Sequence, residues 1–423
     1  MKAVLRDAIA VAAIAGVLFQ ALRHWVADRY VIPSGSMQPT LLGAQHGGDI
    51  VLVDKVASAA SLRRYDVAVF RLAGDATDLV KRVVAFGDDA DACCLELRDG
   101  DLWLGPDAQR LERAQKDPIE CRDLRVPWLR WPGPAEGFEN LLAVPTGAGD
   151  PVAGLALPRF DDVTAARAAC TEGARRARAD AEDGRGDRTG GGWLATLRPV
   201  DAGYLDGHGR RGNEGASLIV DDVGADFEVA TQGVDAVLCG FDLRPDSWLF
   251  CWRPAQRSVE LWRNGATVTT HEVPPAGDGA APTERRRVEY GFLDGRFFFV
   301  VDGRHEWVHA RPPDWVAADP GPTGWGLPKN RLYLAVVGAQ PAPLARLQVF
   351  HDVHWYRLPL DIGVDPKHFS PVRRLEPGQV FLLGDNAADS RDSRMFGPVP
   401  LQAFVGRPRI VLGPWPRTHW LAR

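Results

Sequence analysis

With 423 residues, a formal net charge of −5, 45% hydrophobic and 25% charged residues, the chain has the composition of folded protein with room for two or three domains. That excludes a natively unfolded chain and a polytopic membrane protein. The charge is spread without long single-sign runs, which leaves no electrostatic footprint for nucleic acid, so that partner class is set aside.

At the N-terminus, Lys2 and Arg6 precede an apolar stretch from Ala8 to Leu22 interrupted only by Gln20, with Arg23, His24 and Trp25 following. About fifteen residues at roughly 1.5 Å rise span only about 22 Å, short of a hydrocarbon core of about 30 Å, unless the helix extends to Val26 with Arg23 snorkelling and Trp25 in the interfacial belt. The segment 1–27 is therefore expected to be a membrane anchor. The alternatives are a buried helix or a cleavable leader, and cleavage is the weaker of the two because Ala21-Leu22-Arg23-His24-Trp25 lacks a small-x-small pattern. Basic residues before the helix favour a cytoplasmic N-terminus, which would put the rest of the chain on the outer side of the membrane.

Next comes Ile32-Pro33-Ser34-Gly35-Ser36-Met37-Gln38-Pro39-Thr40-Leu41, where two prolines and a glycine disfavour a helix and favour a turned segment that displays side chains. Asp49–Asp54, Asp66–Arg71 and Leu79–Phe86 are short runs rich in β-branched residues and are expected to form three consecutive antiparallel strands. Lys81 sits inside the third. Strand alternation puts it on the face of Val83 and Ala85, opposite Val80, Arg82 and Val84, and burial of that face would push its amine toward the neutral form. The alternative is a solvated lysine or one salt-bridged to Asp78.

From Asp88 to Pro377 the character changes. Ala165–Asp187 is rich in Ala, Arg and Asp and reads as a solvated helix, followed by the Thr189-Gly190-Gly191-Gly192 linker. Leu218–Thr231, Trp248–Thr270, Arg287–Val308 and Leu332–Trp355 alternate as strands, with Asn264-Gly265, Asp294-Gly295 and Asp302-Gly303 as hairpin turns, the pattern of a β-sandwich. The stretches Val259–Gly265 and Phe297–Gly303 resemble laminin-G or concanavalin-like jelly rolls. Any jelly roll needs such strands, so a structural or spacer role is favoured over ligand binding, and the insert's ligand stays open.

The six cysteines, Cys93, Cys94, Cys121, Cys170, Cys239 and Cys251, form no C-x-x-C pair and have no His cluster at ligand spacing beside them, so neither a metal site nor a cofactor is expected. Some could pair outside the cytoplasm, though adjacent Cys93 and Cys94 are awkwardly placed to bond each other. Near the end, Phe381-Leu382-Leu383-Gly384-Asp385-Asn386-Ala387-Ala388-Asp389-Ser390-Arg391-Asp392-Ser393-Arg394 joins a short apolar strand to a dense polar loop, the kind of place where sites are found.

The Ser34-Gly35-Ser36-Met37-x-Pro39-Thr40 loop, the Lys81-Arg82 strand and the Gly384-Asp385-Asn386 loop stand in the order found in bacterial type I signal peptidases, with further matches at Gly48–Lys55 and Val405-Gly406-Arg407. The chain resembles that family in these motifs, which cover roughly a tenth of it, and in a core of about a third. The resemblance implies a serine endopeptidase with a Ser/Lys dyad that removes signal peptides from exported pre-proteins at the cytoplasmic membrane, its catalytic domain on the extracytoplasmic side. It implies that Ser36 is the nucleophile and Lys81 the general base, that the Ser36 N–H and Ser34 hydroxyl hold the oxyanion, and that Ser390 orients the lysine amine. Asp392 and Arg394 are implied as a supporting ion pair, Asp385 and Asn386 as fixing the loop, and Tyr30, Ile32, Met37 and Val80 as the lining of shallow apolar subsites for small residues. Ala85-Phe86-Gly87-Asp88 is shorter than the family's proline-containing turn.

The expected architecture is mainly β: an anchor at 1–27, a peptidase core at 28–92 and 357–423, an irregular or helical segment at 93–190 and an inserted jelly-roll-like sandwich at 191–356. Two rival readings are a self-cleaving repressor-type Ser/Lys protease, which the apolar N-terminus disfavours, and a membrane-tethered binding protein working through its insert, which the intact Ser36, Lys81 and Ser390 disfavour.

Overall fold

The computed structural model describes residues 26–421 apart from 45–46, 75–76, 99, 133–141, 144–148, 151–153, 171–192, 197–199, 201–203, 206–210, 213–219, 221, 244–245, 275–284, 313–330, 356–371 and 416, together with positions 14, 16, 20 and 23. Among the described residues no helix is long and apolar enough to cross a membrane, and the stretch expected as an anchor lies almost wholly outside them. The chain is mainly β and divides into two compact units. The first comprises Met1–Gln115, Glu120–Leu124 and Val353–Arg423, and the second Lys116–Ile119 and Arg125–Asp352.

The first unit is built on an eight-stranded sheet. Its order is Ala27–Val31, Ile50–Asp54, Phe404–Gly413, Val67–Phe70, Leu79–Phe86, Gln379–Leu383 and Val399–Pro400, with His419–Trp420 paired to Phe404–Gly413. All pairings are antiparallel. The expected three consecutive strands are thus interrupted, because the C-terminal strand Phe404–Gly413 wedges between Ile50–Asp54 and Val67–Phe70. The sheet buries both faces. Along Val67–Phe70, Val67 and Val69 join a cluster with Ile32, Met37, Leu41, Val51, Val53 and Val411, while Ala68 and Phe70 join Leu62, Val83, Val380, Leu382 and Val399. Two-sided burial explains why these strands read as continuous apolar runs and not as alternating ones. A small sheet of Val372–Arg374, Cys94–Arg98, Asp101–Gly105 and Glu112–Arg113 completes the unit.

The second unit has two eight-stranded sheets. One runs Gly149–Asp150, Gly154–Leu157, Ala342–Asp352, Val223–Ala230, Arg285–Leu293, Arg296–Val301 and His305–Ala310, with Arg125–Trp131 paired to Ala342–Asp352. The other runs Ala266–Glu272, Ser258–Arg263, Asp246–Arg253, Val234–Leu243, Leu332–Gly338, Leu194–Thr196 and Leu142–Ala143, with Arg159–Phe160 parallel to Leu332–Gly338. Aromatic rings join them: Trp248 meets Phe297 at 4.4 Å, Phe250 meets Phe299 at 5.2 Å, and Phe241 stacks on Tyr290 at 6.0 Å.

The alternate residues Leu249 and Cys251 point the other way, into a cluster with Trp262, Ala335, Ala166 and Cys170. Residues 163–170 are helical, and with Ala166 and Cys170 buried this part of the expected solvated helix packs on the sheet; the rest lies outside the described residues. The expected turns form where Asn264, Asp294 and Asp302 take φ of 52, 50 and 52°, each followed by a positive-φ glycine, and connect paired strands. Strands of this unit begin at Arg125, well before residue 191, whereas Cys94–Arg98 and Asp101–Gly105 belong to the first unit. All six cysteines are free.

Candidate active site

Ser36 sits in a single 3₁₀ turn, Gly35–Met37, entered through extended Ser34. Three backbone bonds fix the turn: Leu41 N–H donates to Met37 O, Gln38 N–H to Gly35 O, and Asn386 N–H to Ser36 O at 3.1 Å. The Asn386 amide adds a bond from Nδ2 to Gly35 O at 3.3 Å. Gly43 lies directly beneath, where a Cβ would stand 2.4 Å from Ser34 C and 2.7 Å from Gly35 N, so no larger residue fits without moving the turn.

Lys81 comes from the middle of Leu79–Phe86, opposite Ala68. Its side chain is 3% exposed, and Nζ lies 2.6 Å from Ser36 Oγ. Burial pushes the amine down from 10.5 to about 8, against the pull of the Asp392 and Asp385 carboxylates and with help from the Arg394 guanidinium. No salt bridge to Asp78 forms. That carboxylate instead accepts from Arg71 Nε and Nη2 at 2.6 and 2.8 Å and from Tyr30 Oη at 3.0 Å. Burial and Asp78 together push the Tyr30 phenol up to about 12. The Ser34 hydroxyl donates to Ser36 Oγ at 3.3 Å, so the same oxygen meets both Lys81 Nζ and a second hydroxyl.

The polar loop after Gln379–Leu383 closes on this pair from the other side. Gly384 has no room for a Cβ, which would stand 2.1 Å from Ser390 Oγ and 2.4 Å from Ser36 O. Its N–H donates to Asp392 Oδ2, and Asp392 in turn receives Arg394 Nε and Nη2, each at 2.8 Å, with both side chains fully buried. Asp392 also caps the short helix Ser393–Phe396 through Arg394 N–H. Ser390 is buried, but its hydroxyl makes no hydrogen bond. The bond to the lysine amine that the family resemblance implies is therefore not formed.

Ile32 and Met37 are buried in one apolar cluster, and Tyr30 and Val80 pack against it half-buried, so these four residues come together beside the Ser36 turn.

Sequence reasoning left four participants unassigned. Arg82, wholly buried, sends Nε and Nη2 to Asp385 at 2.7 and 2.6 Å, and Nη1 to Asp123 Oδ2 at 2.7 Å and Tyr65 O at 2.6 Å. Thr40 donates to Asp385 at 2.5 Å. Trp355 Nε1–H donates to Gly384 O at 3.2 Å. Arg82 and Thr40 lie inside the quoted motifs and could have been found there. Asp123 and Trp355 lie in no motif.

A buried hydroxyl bonded to a buried amine of lowered pKa, with a second hydroxyl on the same oxygen, is an arrangement suited to nucleophilic attack with an amine as base. Segments 5–96 and 360–415 match a family model described as signal peptidase, peptidase S26. The chain is 38% identical over 61 residues to the mitochondrial inner membrane protease subunit 1 of Schizosaccharomyces pombe, covering 14% of this chain and 38% of that one. It is 42% identical over 78 residues to signal peptidase I of Aquifex aeolicus, covering 18% and 28%. The chain thus spans well under half the length of these relatives. Among solved structures, the carbohydrate-binding module CBM66 from Bacillus subtilis is matched at 13% identity over 37% of this chain and 90% of that one, with a TM-score of 0.23 that carries no weight for fold or function. The two matched segments, which contain Ser36, Lys81 and the Gly384-Asp385-Asn386 loop, are thus similar to the signal peptidase family, peptidase S26.

Proposed function

We propose that the protein is a Ser/Lys endopeptidase that removes N-terminal signal peptides from exported pre-proteins, with Ser36 as nucleophile and Lys81 as general base. The observation that carries this is the 2.6 Å approach of Lys81 Nζ to Ser36 Oγ in a buried setting that brings the amine down to about 8. An amine with its proton takes no other, so the working form is neutral Lys81, which accepts the Ser36 proton as Oγ attacks the scissile carbonyl. The resulting ammonium is placed to return that proton to the departing amine. The acyl-enzyme then yields to water, activated by the same Lys81.

Negative charge on the carbonyl oxygen is met by the Ser36 N–H and the Ser34 hydroxyl, and removal of such a donor costs about 3 to 4 kcal/mol in the transition state. Asn386, Asp385 and the Asp392–Arg394 pair hold the Ser36 turn against the Lys81 strand. Tyr30, Ile32, Met37 and Val80, which come together beside the Ser36 turn, are read as bordering shallow apolar subsites for small side chains, which favours Ala at the first and third positions before the cut on a substrate bound as an added strand. The apolar stretch Ala8–Leu22 would tether this unit to the cytoplasmic membrane with the site on the outer side, and the second unit is read as an inserted structural module. Incubating the purified protein with a fluorogenic Ala-x-Ala signal-peptide substrate is expected to give cleavage after the second Ala, lost in Ser36→Ala. Cleavage that persists in Ser36→Ala overturns the reading.

A further inference from the structure

The first unit sends the chain out at Leu124 and takes it back at Val353, where Val353 N–H donates to Leu124 O at 3.1 Å. Both strands of this neck carry one residue that reaches the support of the dyad, and both residues lie outside the segments 5–96 and 360–415 shared with the peptidase family. We propose that Asp123 and Trp355 are positioning residues for the Ser36–Lys81 pair. Asp123 would steady the lysine strand through Arg82, and Trp355 would steady the Gly384–Asn386 loop. This rests on the Ser/Lys reading above and extends it to residues outside the matched segments.

The geometry forms a closed circuit. Arg82 is the neighbour of Lys81 in the strand, so whatever fixes its guanidinium fixes the backbone from which Lys81 projects. That guanidinium is wholly buried and divides its donors between Asp385 on one side and Asp123 with Tyr65 O on the other. The Tyr65 ring stacks on Trp355 at 6.4 Å with an interplanar angle of 13°. Trp355, fully buried, is held by its own N–H on Gly100 O at 2.9 Å and turns its indole N–H to Gly384 O. Gly384 lies so close to Ser36 O that not even a methyl group fits between them, and it leads directly into Asp385, the other partner of Arg82.

Movement of either neck residue is therefore passed to both reacting side chains through contacts already at hydrogen-bond distance. Proton transfer from Oγ to Nζ is sensitive to displacements of a fraction of an ångström, so loss of this support should appear in kcat while the subsites, built from other residues, keep KM. Were Asp123 and Trp355 merely packing, their loss would lower stability and leave turnover per folded molecule unchanged.

The test uses the full chain with Asp123→Asn, Asp123→Glu and Trp355→Phe, the last of which keeps an aromatic ring for Tyr65 and removes only the indole donor. Cleavage of the Ala-x-Ala peptide, thermal unfolding and amide hydrogen exchange are followed together. Asp123→Asn and Trp355→Phe are expected to lose about tenfold or more in kcat with KM within about twofold, and Asp123→Glu to recover most of the loss. Exchange at the Asn386 amide, which donates to Ser36 O, is expected to quicken about tenfold in the two impaired variants. Folded variants with unchanged kcat, or with losses matching only their unfolded fraction, overturn the proposal. If the unaltered protein fails to cleave the peptide, the peptidase reading falls by itself. The exchange measurement then decides the positioning role: unchanged Asn386 exchange in both variants refutes it and quickened exchange upholds it.

Discussion

Each unit of this protein buries a lysine, and the two have opposite surroundings. Lys81 in the first unit is 3% exposed and faces a serine hydroxyl at 2.6 Å; Lys116 in the second is 2% exposed and faces two carboxylates, Asp294 Oδ1 at 2.5 Å and Asp352 Oδ2 at 2.7 Å. Lys116 also donates its backbone N–H to Asp294, so ammonium and main chain are gripped by the same hairpin turn. The burial is alike but the consequence is not. A desolvated ammonium is unfavourable, and it is relieved either by nearby negative charge or by loss of its proton. In the second unit charge provides the relief. In the first, the carboxylates of Asp385 and Asp392 are held by Arg82 and Arg394, which leaves burial to dominate at Lys81.

Breaking the pair at Lys81 should have the largest effect. Ser36→Ala and Lys81→Ala are each expected to reduce kcat for signal-peptide cleavage by about 10⁴-fold or more, and the double variant should be no worse, because nucleophile and base act as one unit. Additive losses would contradict the dyad. At Lys116 the effect should be on stability alone: Lys116→Met strands the buried Asp294 and Asp352 carboxylates and is expected to cost about 3–5 kcal/mol in denaturant unfolding. Loss of turnover per folded molecule in that variant would show that the two units are not distinct in this respect.

The converse substitution sharpens the contrast. For a lysine whose folded pKa is lowered from 10.5 to about 8, the unfolded state binds more protons between those values. The resulting penalty is absent above about 10.5 and fully developed below about 8, where it reaches about 3 kcal/mol. Lys81→Met should thus stabilise the inactive protein by about 1–3 kcal/mol at neutral pH, with the gain shrinking as pH rises toward 10.5. A Lys81→Met variant less stable than the parent at pH 7 would mean that the ammonium is well compensated after all.

Much of the surroundings of Ser36 and Lys81 was legible because the signals are local. Ser34–Leu41 announces a turn through its prolines and glycine, Leu79–Phe86 a buried strand through its β-branched residues, and Asn264-Gly265, Asp294-Gly295 and Asp302-Gly303 require the positive φ values they adopt. What escaped was partner choice. Nothing in Phe404–Gly413 announces that it separates Ile50–Asp54 from Val67–Phe70, and Val234–Leu243, buried almost throughout, shows little alternation to mark it as a strand. Arg82 and Asp385 meet across 303 positions of sequence, and Asp123 joins them from a stretch with no motif at all. Ser390 shows the limit of carrying a role over by motif: its position in the loop is matched, yet its hydroxyl has no partner. A pattern records which residues face inward, but not which other segment will be there to meet them.

A neutral lysine working as the base leaves its mark on the pH dependence of kcat/KM for cleavage of the Ala-x-Ala substrate by the unaltered protein. Because the active form is the unprotonated amine, the rate should climb about tenfold per pH unit below the folded pKa of Lys81 and level off above about 8, well under the 10.5 of a solvated lysine. The limb should persist when histidines are replaced. An ascending limb near about 6.5 that disappears on replacing a single histidine would contradict the claim and assign the proton to an imidazole.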